Sequence, residues 1–230
     1  MKCKNCTLRY IPDTCEDCGE EIEQEKQEEK YISQKHIREI LGDHFFNAKQ
    51  VEKILKVKFD GDIPEIRITE KQALFAKEHG HMVALLPSTT LLQFREKFPN
   101  LFYSKKDAWY EKEDFAKETT PLEWVEMSSN PISDTSSKTY EEEKEILAKY
   151  IREKGDFHPK YIAQVAQMIL LARSLNKKML EVEYTWTQAR TSDGYLVGFG
   201  RADSGGAGVR SWDPDGRDVD LRALFSRQLV

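Results

Sequence analysis

Seven of the 12 glycines in this 230-residue chain fall within its last 47 residues, Tyr184 to Val230. They punctuate short runs in which apolar and polar side chains alternate. That pattern specifies short strands joined by tight turns. The same stretch contains no lysine and no glutamate, whereas the first 183 residues hold 23 Lys and 25 Glu. At the upstream frequencies about six of each would be expected in the tail. Its acids are Asp193, Asp203, Asp213, Asp215, Asp218 and Asp220, and its bases are Arg190, Arg201, Arg210, Arg217, Arg222 and Arg227. Alternation turns Val197, Phe199, Val209 and Leu224 toward a core. Strands are expected over 180–187, 195–200, 207–212 and 221–225.

Upstream of the tail the pattern is mainly helical. Ile32, Ile37, Ile40 and Leu41 share one face of a helix stopped by Gly42, and Asn47 caps a second helix with Val51, Ile54 and Leu55 inward. Such a pair suits a helix-turn-helix, but the second helix offers little for reading bases, so packing on the rest of the chain is the expectation. Thr69 caps a helix to about His79 with Ala73, Leu74, Phe75 and Ala76 inward. His81 to Leu86 is a buried strand stopped by Pro87, and Ser88 or Thr89 caps the helix that follows. His79 and His81 read as a turn histidine and a satisfied core histidine rather than metal ligands. Phe102, Tyr103, Trp109 and Tyr110, interleaved with Lys105 and Lys106, either stack single-stranded bases or fold a loop onto the core. Leu122 to Met127 reads as a strand, and Ser128 to Lys138 as a surface loop. Thr139 and Glu142 form a capping box opening a helix to about Glu153. Pro159 opens the longest apolar helix, with Ile162, Val165, Ala166, Met168, Ile169, Leu170, Leu171 and Ala172.

All four cysteines lie in the first 18 residues, as Cys3-x2-Cys6-x8-Cys15-x2-Cys18. Two such knuckles supply four thiolates in tetrahedral array, which is a zinc pattern; two disulfides or a redox pair are the competing readings. Four thiolates leave no open coordination position, so the expected Zn2+ is structural. The start of the chain has no apolar signal core, and no run of 18 apolar residues occurs, so a cytoplasmic protein without a membrane span is expected. A net charge of -5 excludes a broadly basic nucleic-acid coat but not a local patch. No nucleophile–base pair, P-loop or nucleophile elbow is present, so the chain does not read as an enzyme. The run Asp213-Pro-Asp215-Gly-x-Asp218-x-Asp220 has acidic spacing but lacks the closing Glu of a calcium loop, and it reads as a solvated turn.

The tail also carries a set of motifs: Tyr184-Thr-Trp186-Thr, Arg190-Thr-Ser-Asp-Gly194, Val197-Gly-Phe-Gly200, Gly205-Gly-Ala-Gly-Val209, Trp212, and the closing run Val219 to Arg227. These resemble the C-terminal half of the C-type lectin fold in the branch related to formylglycine-generating enzymes. Asp220-Leu-Arg222 stands where that branch usually has Gly-Val/Phe-Arg. The stretch Phe75 to Arg227 also resembles uncharacterised proteins of candidate-phyla bacteria, through the phrases at Phe115-Ala-Lys117, Pro131 to Tyr140, and Tyr184 to Arg227. The resemblance covers about two-thirds of the chain. It implies an α+β fold, a C-type lectin-like domain with helices packed on a short-stranded antiparallel sheet. Folds of this branch serve as variable proteins of diversity-generating retroelements, in which adenines of a copied 3′ segment are rewritten. Rewritten AAY codons yield Asn, Asp, Ser, Gly, Tyr, His, Arg or Val, and never Lys, Glu, Gln, Met or Trp. Gln188, Gln228, Trp186 and Trp212 would then be fixed positions. A GC-rich or separately inherited segment would also be rich in Arg, Asp and Gly.

The organisation expected from these features is a zinc knuckle or ribbon over 1–21, a helical linker region over 22–66, and a C-type lectin-like domain over 67–230 with a variable region at 184–230. The function implied is ligand binding by a diversified surface made of Asp193, Tyr195, Arg201, Asp203, Arg210, Ser211, Asp213, Asp215, Arg217 and Asp218. Its partner would be a protein or other macromolecule. The alternative is a zinc-ribbon regulator that binds nucleic acid. The enzymes of the related branch use cysteines in this region, and the tail has none, so their chemistry does not transfer.

Overall fold

The computed structural model describes residues 30–104 and 106–229. From Tyr31 onward the chain forms one compact α+β unit. Its helices are α1 (Gln34–Leu41), α2 (Ala48–Leu55), α3 (Glu70–Glu78), α4 (Leu91–Lys97), α5 (Asp114–Lys117), α6 (Tyr140–Ile151) and α7 (Ile162–Ser174). Its strands are β1 (Phe45–Phe46), β2 (His81–Leu86), β3 (Glu123–Ser128), β4 (Tyr184–Arg190), β5 (Leu196–Asp203), β6 (Gly206–Trp212), β7 (Leu221–Arg222) and β8 (Ser226–Gln228). None of the helices among the described residues is long and apolar enough to cross a membrane.

Helix starts are set by side-chain caps. Asn47 with Gln50, Thr69 with Gln72, Thr90 with Gln93 and Thr139 with Glu142 each form a reciprocal capping box. The cap of α4 is therefore Thr90 and not Ser88 or Thr89; Thr89 instead donates its backbone N–H to Thr120 Oγ1 at 3.1 Å. Helix α7 begins at Ile162 rather than at Pro159, because Tyr161 is still extended and the Pro159 carbonyl accepts from Gln188 N at 2.9 Å. Leu74 points to solvent, 49 % exposed, while its neighbours Ala73 and Ala76 are buried.

Two four-stranded sheets result, in the orders β1-β2-β3-β8 and β6-β5-β4-β7. Both are mixed: β1 runs parallel to β2 and β7 parallel to β4, the other pairs being antiparallel. This corrects the expectation of one antiparallel sheet. Helix α7 packs against β2 and β5, one strand from each sheet, and against α2 and α4. Ten of its 13 residues are buried, which is why its sequence is apolar nearly all round. The other face of the first sheet is covered by Ile37 and Leu41 of α1 and Ala73 and Ala76 of α3, with Phe45 stacked on Trp124 at 5.5 Å. Covered on both faces, β2 and β3 are buried at every residue; β2 is accordingly a continuous apolar run after His81, whereas β3 encloses Glu123, Glu126 and Ser128 among its apolar residues. The expected helical linker at 22–66 thus enters the compact unit from Tyr31: β1 adds to the sheet and α2 buries Val51 and Leu55.

The end of the tail is divided between the sheets. The expected strand Leu221–Phe225 is only Leu221–Arg222 as β7; the chain then crosses to pair with β3 as β8. Three successive amides between them find hydroxyls instead of a strand. Ala223 N donates to Thr135 Oγ1, Leu224 N to Thr185 Oγ1 and Phe225 N to Ser128 Oγ, each at 3.0 Å. The segment expected as a surface loop, 128–138, is therefore pinned under the tail, with Ser128, Ser129 and Thr135 buried. Strand β4 starts at Tyr184 rather than Leu180. The preceding residues accept from the β5 bulge instead, Ala202 N donating to Leu180 O at 2.7 Å and Arg201 N to Glu183 O at 2.8 Å.

Candidate functional site

The second sheet buries Val197, Phe199 and Val209 against α7, and Leu224 joins the same core. Its outer face carries Tyr184, Trp186, Leu196, Trp212 and Leu221, joined by Tyr140 of α6. Aromatic rings can lie flat there because glycines leave the strands bare. A Cβ on Gly198 would stand 2.7 Å from the Trp212 ring, and one on Gly208 would stand 2.7 Å from the Tyr184 hydroxyl. The register pairs Trp186 with Gly198 and Gly198 with Arg210, so ring, glycine and guanidinium stand in one row across the sheet.

At the β5–β6 end this face opens into a cleft of about 430 Å³. One wall is the hairpin. A bulge between Gly200 and Asp203 puts Arg201 in left-handed backbone (φ 48°) and turns it outward. The guanidinium of Arg210 lies 5.1 Å and that of Arg201 5.8 Å from the centre of the Tyr184 ring. Burial holds the Tyr184 phenol above its ordinary pKa against the pull of both arginines.

The other wall comes from upstream. Gly206 (φ +102°) has no room for a side chain, a Cβ there falling 2.5 Å from the Phe102 carbonyl carbon. This close approach lets Phe102 bridge to Ala207 and Tyr103 N donate to Ala207 O at 2.9 Å. The loop then presents Tyr103 and Trp109, 76 % and 47 % exposed. Trp109 Nε1 donates to Val209 O at 3.2 Å, fixing its ring beside the hairpin. Behind it Tyr110 is buried under Arg95, whose guanidinium donates to Tyr110 Oη (3.3 Å) and Glu111 Oε1 (2.6 Å). Of the four aromatic residues singled out in this stretch, Phe102 and Tyr110 are buried anchors, and Tyr103 and Trp109 line the cleft with the exposed faces of their rings while Tyr110 borders it from below.

Three of the ten expected ligand residues meet here: Arg201, Asp203 and Arg210. Arg201 pairs with Asp220, and Asp203 Oδ1 accepts from Gly205 N at 2.6 Å. Arg210 has no carboxylate within 4.0 Å among the described residues. The other seven lie elsewhere. Asp193 and Tyr195 sit at the far end of β5, roughly 23 Å away along the strand, where Asp193 accepts from the Thr191 hydroxyl. Ser211 alternates to the opposite side from Arg210. Asp213 and Asp215 form the turn after β6, with Asp215 N donating to Asp213 Oδ1 at 3.0 Å. Arg217 reaches α6, donating to Ser137 O at 3.0 Å and pairing with Glu142 at 2.7 Å; this hydrogen bond, with the Thr139 amide, pulls Glu142 down to about 2. Asp218 is half-buried and accepts from Trp212 Nε1 at 3.2 Å and Asp220 N at 2.9 Å. Arg217 and Asp218 thus fasten the tail rather than line the cleft.

Among the described residues no cluster of three or more His, Cys, Asp and Glu side chains is placed to hold a metal, the Asp213–Asp220 run included. The expected zinc ligands Cys3, Cys6, Cys15 and Cys18 lie outside the described residues.

There are two buried ionisable groupings; the sequence marks His81 of the first as a satisfied core histidine, but not its partners, and marks nothing of the second. In the first, His81 Nδ1 lies 2.8 Å from Glu126 Oε1 and Nε2 3.0 Å from Tyr150 Oη, while Arg227 donates to Glu126 Oε2 at 2.6 Å. In the second, His158 lies between Asp156 (2.9 Å) and Glu143 (3.4 Å), with its ring stacked 4.3 Å from that of Tyr140. Tyr140 Oη donates to Asp156 Oδ2 at 2.6 Å. Burial pushes Glu143 up to about 7, against the pull of His158. Burial opposes charge on His158, but its hydrogen bonds to Asp156 and Glu143 raise its pKa above the ordinary value. Glu143 sits in the run Glu141-Glu142-Glu143, which in sequence looks like a solvated first turn.

The chain matches no protein-family model, no curated protein and no solved structure.

Proposed function

We propose that this chain is a binding protein rather than an enzyme, with the tail as its recognition surface. The observation that carries the reading is the two-walled cleft. Arg201, Asp203 and Arg210 come from the Lys- and Glu-free tail, while Tyr103 and Trp109 come from a part of the chain with ordinary composition. One wall can therefore change while the other stays. The retroelement reading and a C-type lectin-like scaffold account together for the tail's composition and for the placement of its residues. Nine of the ten singled-out side chains are exposed, while Trp186, Val197, Phe199 and Leu224 fill the interior.

The decisive comparison is between coding sequences of close relatives. Differences should concentrate at Asp193, Tyr195, Arg201, Asp203, Arg210, Ser211, Asp213 and Asp215. A nearby near-copy of the tail, differing only at adenines, should accompany a reverse-transcriptase gene. Relatives that vary as much upstream as in the tail, with no such copy, would sink diversification.

The four cysteines are proposed to hold one structural Zn2+, in keeping with a reducing cytoplasmic setting. Protein purified under reducing conditions should contain one zinc per chain; metal-free protein with the same fold would overturn this.

A second reading, binding of single-stranded nucleic acid, is favoured by the exposed rings of Tyr103 and Trp109 near Lys106. Asp203 in the same cleft and the net charge of -5 disfavour it.

A further inference from the structure

We infer that the cleft takes an aromatic anion: a flat ring placed against Tyr103 and Trp109, bearing one phosphate or carboxylate held by Arg210. The inference rests on the reading of the cleft as a binding site and adds the class of its ligand.

Three features converge on this class. The first is charge. Two guanidinium groups face the cleft, but Arg201 is neutralised by Asp220. The carboxylate of Asp203 is turned onto the Gly205 amide of its own turn. Arg210 is the cation of the lining with no carboxylate within 4.0 Å among the described residues, and its fork suits a phosphate or carboxylate. It is also held in place, since it lies over the Tyr184 ring at 5.1 Å and so loses little freedom on binding.

The second feature is the aromatic wall. Large rings at a surface are normally turned inward, and Phe102 and Tyr110 of the same loop are. Tyr103 and Trp109 are not, although Trp109 is fixed through its Nε1 to the hairpin. A fixed, half-exposed indole is a stacking platform made before the ligand arrives.

The third feature is size. About 430 Å³ is at the small end of ligand pockets, enough for a single ring system with its anionic group rather than a folded epitope. A cation would suit the rings but would face the guanidinium of Arg210, and a polyanion would find, among the described residues, a single unpaired guanidinium to hold it.

Binding can be followed on the full-length protein by the indole N–H signal of Trp109, assigned with Trp109→Phe. The probes are AMP, phenyl phosphate and benzoate, set against adenosine, phenol, inorganic phosphate, choline and a ten-nucleotide oligothymidylate. The two phosphates and benzoate share the chemistry; their ranking separates phosphate from carboxylate as the natural anion. The expected result is that ring-bearing anions shift the Trp109 signal and bind at least tenfold more tightly than ring or phosphate alone. Arg210→Gln should weaken them at least tenfold, while Lys71→Gln on α3, a charge change away from the cleft, should not. Circular dichroism establishes that both variants fold.

Equal or tighter binding of choline, phenol or adenosine, or indifference to Arg210→Gln, overturns the ligand class and leaves the cleft as a binding site. Tighter, steeply salt-dependent binding of the oligonucleotide replaces it with the nucleic-acid reading. A Trp109 signal that no probe moves overturns both the ligand class and the cleft.

Discussion

Gly200→Ala should abolish folding of the unit from Tyr31 onward, or cost it more than about 3 kcal/mol. The added methyl would overlap the Glu183 carbonyl oxygen and stand 2.5 Å from the Tyr184 Cα. Both are backbone atoms of the neighbouring strand, so no side-chain rotation relieves the overlap. Strands β4 and β5 would have to separate where Arg201 N donates to Glu183 O and where Tyr184 takes its place under the two arginines. Gly205→Ala is the matched control. Its nearest neighbour is the Asp203 carboxylate at 3.1 Å, a side chain that can move, and it should cost under about 1 kcal/mol. Urea unfolding followed by circular dichroism compares the two. A near-native midpoint for Gly200→Ala would mean that the β4–β5 contact is looser than described.

Raising the pH should destabilise the protein through Glu143. Its carboxyl is buried within α6, one oxygen has no hydrogen-bond partner, and burial lifts its pKa from 4.5 to about 7. A folded value above the unfolded one means that the native state holds the proton more tightly. The stabilisation is full below the unfolded value, fades as pH rises through about 7, and amounts to roughly 3 kcal/mol. His158 acts in the same direction: its raised value contributes stability below its unfolded pKa that is lost as pH rises through its folded one. Asp156 opposes them at the acid end. Burial works to raise its pKa, but the hydrogen bond from His158 leaves it depressed, so its contribution disappears as pH falls through that lowered value. Glu143→Gln keeps the shape and removes the titration. The variant should match the wild type at about pH 4 and be more stable at about pH 8. An unchanged pH slope in the variant would remove Glu143 from this role.

How much of the fold can be read from the chain depends on whether its cause is local. Caps at Asn47, Thr69 and Thr139 are local, and their helices start where the sequence places them. The inward set Val197, Phe199 and Val209 follows from alternation and is buried; Leu224 is buried too, but between strands, with Ala223 and Phe225 equally enclosed beside it. The division of 221–225 is not local. Apart from Arg222 the run is apolar, and what ends β7 is a set of hydroxyls on Thr135, Thr185 and Ser128, distant in sequence. The candidate site is legible by halves. Composition marks Arg201, Asp203 and Arg210, and the aromatic stretch marks Tyr103 and Trp109. Nothing local says that Gly206 lets the two stretches touch. Arg217 and Asp218 share the tail's composition, yet they fasten it, because Glu142 and Trp212 lie within their reach. Glu143 and His158 escape notice because partnership across 15 residues leaves no periodicity.

The crossing of the last strand also sets an order of events during synthesis. Strands β2 and β3 leave the ribosome long before β8, and Glu126 of β3 waits 101 residues for the guanidinium of Arg227. Until then its carboxylate, fully enclosed in the finished protein, must stay in water, and the edge of β3 that β8 will cover stays open. The first sheet is thus completed by a segment translated long after its other strands. A nascent chain stalled before residue 226 would hold its helices and an open strand edge, which is where a chaperone or another copy of the same chain could attach.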